Sequence, residues 1–148
     1  MQPGYHDRNH MILTTKMPTK PRSRDDFEIA IICALTLEAE MVEFILDKNW
    51  ADESITFEKT VGDHNFYTTG VIGNHNVVLA YMPGMGSNSA AMFATGLRIS
   101  YRRLNIVFVV GICGVIPTHI DTLKEIVLGD CIVSTEVVQY EGGPVRFW

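Results

Sequence analysis

The chain has 148 residues, 47% of them hydrophobic and 20% charged, which suits one compact domain and excludes disorder throughout. The formal charge of −5 is uneven: residues 1–26 hold five Lys/Arg against three Asp, and the remainder holds seven against fourteen. That acidic body lacks the clustered cations a nucleic-acid backbone requires, and no apolar run approaches the roughly 20 residues of a membrane span.

Residues 1–26, rich in Pro, Thr, Lys and Arg without an apolar period, read as a flexible leader ahead of a domain covering 27–148. They lack the apolar stretch of a secretory signal. The three cysteines, Cys33, Cys113 and Cys131, are odd in number and widely spaced, suggesting neither a disulfide framework nor a zinc site. A reducing, cytoplasmic setting is the expectation.

From Phe27 the run Ile29 to Leu35 predicts a strand buried on both faces. Thr36 is placed to cap a following helix, whose Leu37, Met41, Phe44 and Ile45 recur at three- and four-residue spacing with Glu38 in the first turn. After a loop over residues 50–59, Phe66 to Ile72 and Val77 to Tyr81 form a hairpin about a Gly-Asn tip. A glycine-bearing turn, Pro83 to Ser89, opens a helix with Ala90, Ala91, Ala94 and Leu97 on its packing face. Ile106 to Val110 reads as another buried strand ending in Gly111-Ile112-Cys113-Gly114. Further strands are expected near Ile126 to Val133 and Val137 to Tyr140. The fold class is α/β, a mixed central sheet flanked by helices.

Several of these stretches could carry chemistry. Gly84-x-Gly86-x-x-Ser89 between a strand and a helix suits close approach to a ligand, and equally a tight turn with a helix cap. A dinucleotide site would need an acidic residue about 20 positions on, where Leu104 and Asn105 stand. Glu38 could act as an acid or base in a crevice beside both glycine turns, although the helix dipole alone also favours a glutamate there. Cys113 reads as a wall residue, because nothing near it in sequence would activate the thiol. His64, His75 and His119 show no metal-ligand spacing, and Asp130 after Gly129 reads as a turn residue.

In order, Ile31 to Glu38, Tyr67-Thr68-Thr69-Gly70, Met82 to Gly86, Val110 to Gly114 and Leu128 to Ser134 resemble the purine and uridine phosphorylase superfamily. The likeness is greatest to its fungal members, which are similar to methylthioadenosine/adenosylhomocysteine nucleosidases. It covers about 115 residues, nearly everything after the leader. The resemblance implies cleavage of the N-glycosidic bond of a nucleoside, by phosphate or by water, without a metal or organic cofactor. It places Glu38 as the carboxylate that orients the attacking water and Ala34 and Leu35 beside the sugar. Gly84, Met85 and Gly86, with Ile112, Cys113 and Gly114, fall in the pocket walls. Hexameric phosphorylases carry an arginine where this chain has Val109, and Ser or Thr where it has Ile112. Without those charge-assisted partners phosphate is weakly held, which favours water.

The resemblance further implies that the family's ribose-gripping Met-Glu pair and its leaving-group Asp belong to a C-terminal half beyond this sequence, which makes the chain a truncated domain. Little or no base release by the chain alone is the expectation, because general acid catalysis supplies about 10²- to 10⁴-fold. A homo-oligomer, or contact with other domains of a longer protein, would cover the exposed half-sheet. The alternative is a non-catalytic remnant or regulatory binding module.

Overall fold

A computed structural model describes residues 18–82, 86–114 and 125–134, divided between two compact units, one ending at Ile112 and the other beginning at Cys113. The first contains β1 (Ile29–Cys33), α1 (Thr36–Phe44), β2 (Lys48–Asn49), β3 (Phe66–Ile72), β4 (His75–Tyr81), α2 (Ser87–Ser100) and β5 (Ile106–Val110). These strands form one mixed sheet in the order β2-β3-β4-β1-β5. β1 lies between β4 and β5 and is parallel to both, whereas β3 runs antiparallel to β4 and to β2. The expected α/β architecture is therefore present.

Alternation along the strands supplies both layers. Ile31 and Cys33 of β1 and Leu79 of β4 pack with Ala39 and Val42 of α1. Ala30, Val78 and Ala80 point the other way, into a larger cluster with Phe27, Trp50, Val71, and Phe93, Leu97 and Tyr101 at α2. Val71, Val78 and Leu79 are fully buried, each contributing about 1.5–3 kcal/mol through removal of apolar surface from water. Phe27 meets Phe57 and Tyr101 edge-on at centroid separations of 5.5 and 5.7 Å. Among the described residues no helix is long and apolar enough to cross a membrane.

The hairpin is tighter than its sequence suggests. Ile72 pairs with His75, leaving a two-residue loop in which Gly73 takes φ 60° while Asn74 stays out of the left-handed region, the pattern of a type II′ turn. Residues 50–59 are not wholly irregular, since Trp50–Glu53 form a 3-10 turn with Trp50 buried.

In α1, α2 and β5, four expectations need correction. Leu35, not Thr36, is the N-cap of α1. The α1 stripe of Leu37, Met41, Phe44 and Ile45 is exposed at 55, 56, 85 and 59%, while Glu38, Ala39 and Val42 face the sheet. Rotating the stripe inward would swing Glu38 away from its partners at the strand ends. On α2, Ala91 and Ala94 are exposed, and the buried positions are Phe93, Gly96, Leu97 and Ser100. β5 is the edge strand and is exposed on both faces, from 40% at Val110 to 80% at Val109.

The second unit is described only around residues 113–114 and 125–134. The strand expected near Ile126 to Val133 is absent there. Val127 to Asp130 instead form a turn, with the Asp130 N–H donating to Val127 O (3.1 Å), the Val127 N–H donating to Asp130 Oδ2 (3.0 Å) and Gly129 at φ 102°. Asp130 is thus a turn residue, as expected. The Val137 to Tyr140 strand and His119 lie outside the described residues, as do residues 1–17 of the leader.

Residues 18–26 nevertheless hold structure within the stretch assigned to that leader. Pro21 is buried, Arg24–Asp26 form a 3-10 turn capped by Ser23, and the Arg24 guanidinium donates to Thr60 Oγ1 at 2.9 Å.

Candidate functional site

The three parallel strands β4, β1 and β5 end on the same edge of the sheet, at Met82, Ala34 and Gly111. The chain leaves β1 into α1 on one face and returns to β5 through α2 on the other. Open α/β sheets bind ligands where successive connections diverge in this way. These strand ends belong to the first unit.

Glu38 lies at these strand ends. Leu35 has no side-chain acceptor to offer the first turn of α1, so Glu38, three positions on, supplies the polar half of the cap. Its Oε2 accepts the N–H groups of Ala34 (3.1 Å) and Leu35 (3.0 Å). Its Oε1 accepts the N–H of Ile112 at 2.9 Å, across from the end of β1 to the exit of β5. The hydrogen bond from Ile112 is the largest influence on the carboxyl, followed by that from Leu35, and together they hold its pKa below the usual 4.5. Glu38 is therefore ionised at neutral pH. It is 8% exposed, and Oε1 keeps acceptor capacity that the three backbone donors do not fill.

A carboxylate with a depressed pKa is a weak proton acceptor but a strong hydrogen-bond acceptor. The arrangement can orient a water or hydroxyl and can stabilise positive charge developing nearby. Beside it, burial pushes the Cys33 thiol up, with a smaller contribution from the Glu38 charge. Cys33 is consequently a neutral core residue.

The sequence-assigned site residues divide into three groups. Ala34, Leu35, Glu38 and Ile112 come together, although Ala34, Leu35 and Ile112 meet Glu38 through backbone N–H groups rather than side chains. Gly86 is the N-cap of α2 at φ 102°, a conformation that favours glycine, while Gly84 and Met85 lie outside the described residues. Cys113 and Gly114 belong to the second unit, where Cys113 is an exposed free thiol and a side chain at 114 would meet nothing within 4 Å. Val109 and Ile112 are exposed at 80 and 76%. Gly111, read from the sequence as part of the strand-end turn Gly111 to Gly114 but not among the assigned site residues, lies against the Glu38 carboxylate.

Fold and contacts together define an α/β protein with a buried carboxylate at the carboxyl ends of its parallel strands. A family model described as the phosphorylase superfamily matches residues 28–148, and the chain belongs to that superfamily. Membership points to nucleoside metabolism. The chain is also similar to a nucleotide-binding leucine-rich repeat (NLR)-like protein of the fungus Hyaloscypha variabilis, with 31% identity over 118 residues. The match takes in 80% of this chain and 11% of that protein, so the chain spans a small part of that relative's length.

Proposed function

We propose that a nucleoside binds at these strand ends and that the chemistry there is cleavage of the N-glycosidic bond with water, not phosphate, as the acceptor. The observation that carries this reading is the ionised Glu38, held by three backbone donors with acceptor capacity left on Oε1. In this reading Oε1 accepts a hydrogen bond from the attacking water, and the carboxylate charge stabilises the cationic ribosyl transition state. A phosphate dianion in the same place would be repelled. Among the described residues the one ion pair is Lys48 with Glu53, and no cation contacts Glu38 to offset that repulsion.

The NLR-like relative favours a second reading, in which a domain of this kind binds a nucleoside within a larger protein without turning it over. The exposed α1 stripe and both faces of β5 favour cover by a second copy or by other domains of a longer chain in either case.

Purified chain is incubated with adenosine, inosine, methylthioadenosine or uridine, with and without phosphate, and free base and nucleoside binding are measured. Saturable binding is expected, with little or no base release by this chain and no acceleration by phosphate. Release that phosphate accelerates would replace water as the acceptor, clear phosphate-independent turnover would show that this chain carries a complete site, and absence of binding would overturn both readings.

A further inference from the structure

Glycine usually stands at a position because the backbone needs a positive φ, and Gly62, Gly73, Gly86 and Gly129 fit that explanation, with φ between 60° and 102° and open space where a side chain would begin. Gly111 does not. Its φ lies outside that region, yet a Cβ built on it would sit 3.0 Å from Glu38 Oε1, 3.3 Å from Cδ and 3.4 Å from Oε2.

The far end of a glutamate side chain ordinarily yields to such a contact. This one is pinned, because moving it breaks hydrogen bonds from Ala34, Leu35 and Ile112 that no other acceptor replaces. We infer that Glu38 and Gly111 form a single clamp: the carboxylate ties the β1–α1 turn to the exit of β5, and Gly111 is glycine to leave room for it.

Glu38 is by this account a positioning residue for the two strand exits, whatever it does to a substrate. β1 and β5 pair in parallel only as far as Cys33 and Val110. Beyond those residues the Glu38 bridge is the recorded hydrogen bond joining the two exits among the described residues. It fixes the spacing between the Ala34–Leu35 backbone and Ile112 where β1 and β5 end. The inference rests on these contacts and not on the nucleoside reading, so it is tested without substrate.

Amide hydrogen exchange is measured residue by residue on the full chain, on Gly111→Ala and on Glu38→Gln. In Gly111→Ala the added methyl displaces the carboxylate, and the Ile112 and Leu35 amides are expected to exchange about tenfold faster or more, while Leu79 and Ala80 in β4 keep their rates. Glutamine at 38 offers one acceptor oxygen where the clamp needs two, so either the Ile112 amide or the Leu35 amide loses protection and the other keeps it. A double-mutant cycle by denaturant unfolding then asks whether the alanine at 111, costly in the native background, becomes neutral once Glu38→Ala has emptied the space. Unchanged Ile112 and Leu35 exchange in Gly111→Ala, or additive costs in the cycle, would overturn the clamp. If Gly111→Ala fails to fold, equal protection of both amides in Glu38→Gln would overturn it instead.

Discussion

Two buried carboxylates lie on opposite faces of the sheet, each against a glycine, and they are satisfied in different ways. On the α2 face, Asp63 accepts from the hydroxyls of Ser100 and Tyr67 and from the Asn65 N–H. Asn65 in turn donates to Tyr67 and to Phe93 O, at 3.0 and 2.8 Å. On the α1 face, Glu38 likewise has three donors, but all of them are backbone N–H groups at the strand ends. The Asp63 network knits a loop to a helix and a strand and stays inside, and it is read as architecture. Glu38 instead ties two turns together at the carboxyl ends of the parallel strands. Burial of a carboxylate does not by itself mark a functional group; what sets Glu38 apart is its place at the strand ends, where open α/β sheets bind ligands.

The largest effect expected from breaking this comparison is at Gly96, where a Cβ would lie 2.6 Å from both Asn65 Nδ2 and Asp63 Oδ1. Gly96→Ala should destabilise the chain by about 2–3 kcal/mol in denaturant unfolding, since the whole buried network must shift. Tyr67→Phe removes the hydroxyl that links Asp63 and Asn65 and should cost about 1–2 kcal/mol in the same measurement. Gly111→Ala, whose nearest contact is the looser one at 3.0 Å, should cost less than Gly96→Ala, and the reverse order would refute the contrast between the two clamps.

Acid sharpens the same contrast. Glu38 has a folded pKa below its unfolded value, so the stability it contributes is present above the unfolded value of about 4.5 and is lost as pH falls through the lower folded one. Asp26, lowered by N–H groups of Arg22 and Ser23, and Glu53, lowered by Lys48, contribute to the same acid limb. The difference between the native chain and Glu38→Gln isolates the clamp, and that difference should shrink below pH 4. A constant difference down to pH 2 would mean that Glu38 is not held ionised. Cys33, the titratable neighbour recorded beside it, changes charge only in alkali and leaves this window untouched.

The smallest effect belongs to the outward stripe of α1. Phe44, 85% exposed, should tolerate serine within about 0.5 kcal/mol in the isolated chain, and a loss of several kcal/mol would show that the stripe faces a core after all.

The longer elements of the first unit were legible in the sequence because each rests on local signals: the apolar run of β1, the Gly-Asn hairpin tip, the glycine turn before α2 and the Ile106 to Val110 run; the two-residue β2 was not. Their faces were less legible. Leu37, Met41, Phe44 and Ile45 make a regular helical stripe, yet Ala39 and Val42 pack on the sheet, because periodicity reports that a face is apolar and not which surface it meets. Ile126 to Val133 has strand composition but forms a turn at its start, since a strand needs partners that composition cannot supply.

For the site, the sequence by itself determined which residues arrive at the strand ends: Ala34, Leu35 and Glu38 follow β1, and Gly111 and Ile112 follow β5, in the order and spacing of the superfamily to which the chain belongs. Only the tertiary structure decided what they do there. Ile112 lies 74 positions from Glu38, and no local pattern could show that its N–H closes on the carboxylate or that Gly111 is shaped by that closure. Pairing of β1 with β5 brings them together, and the need of each buried N–H for an acceptor turns that proximity into a fixed contact.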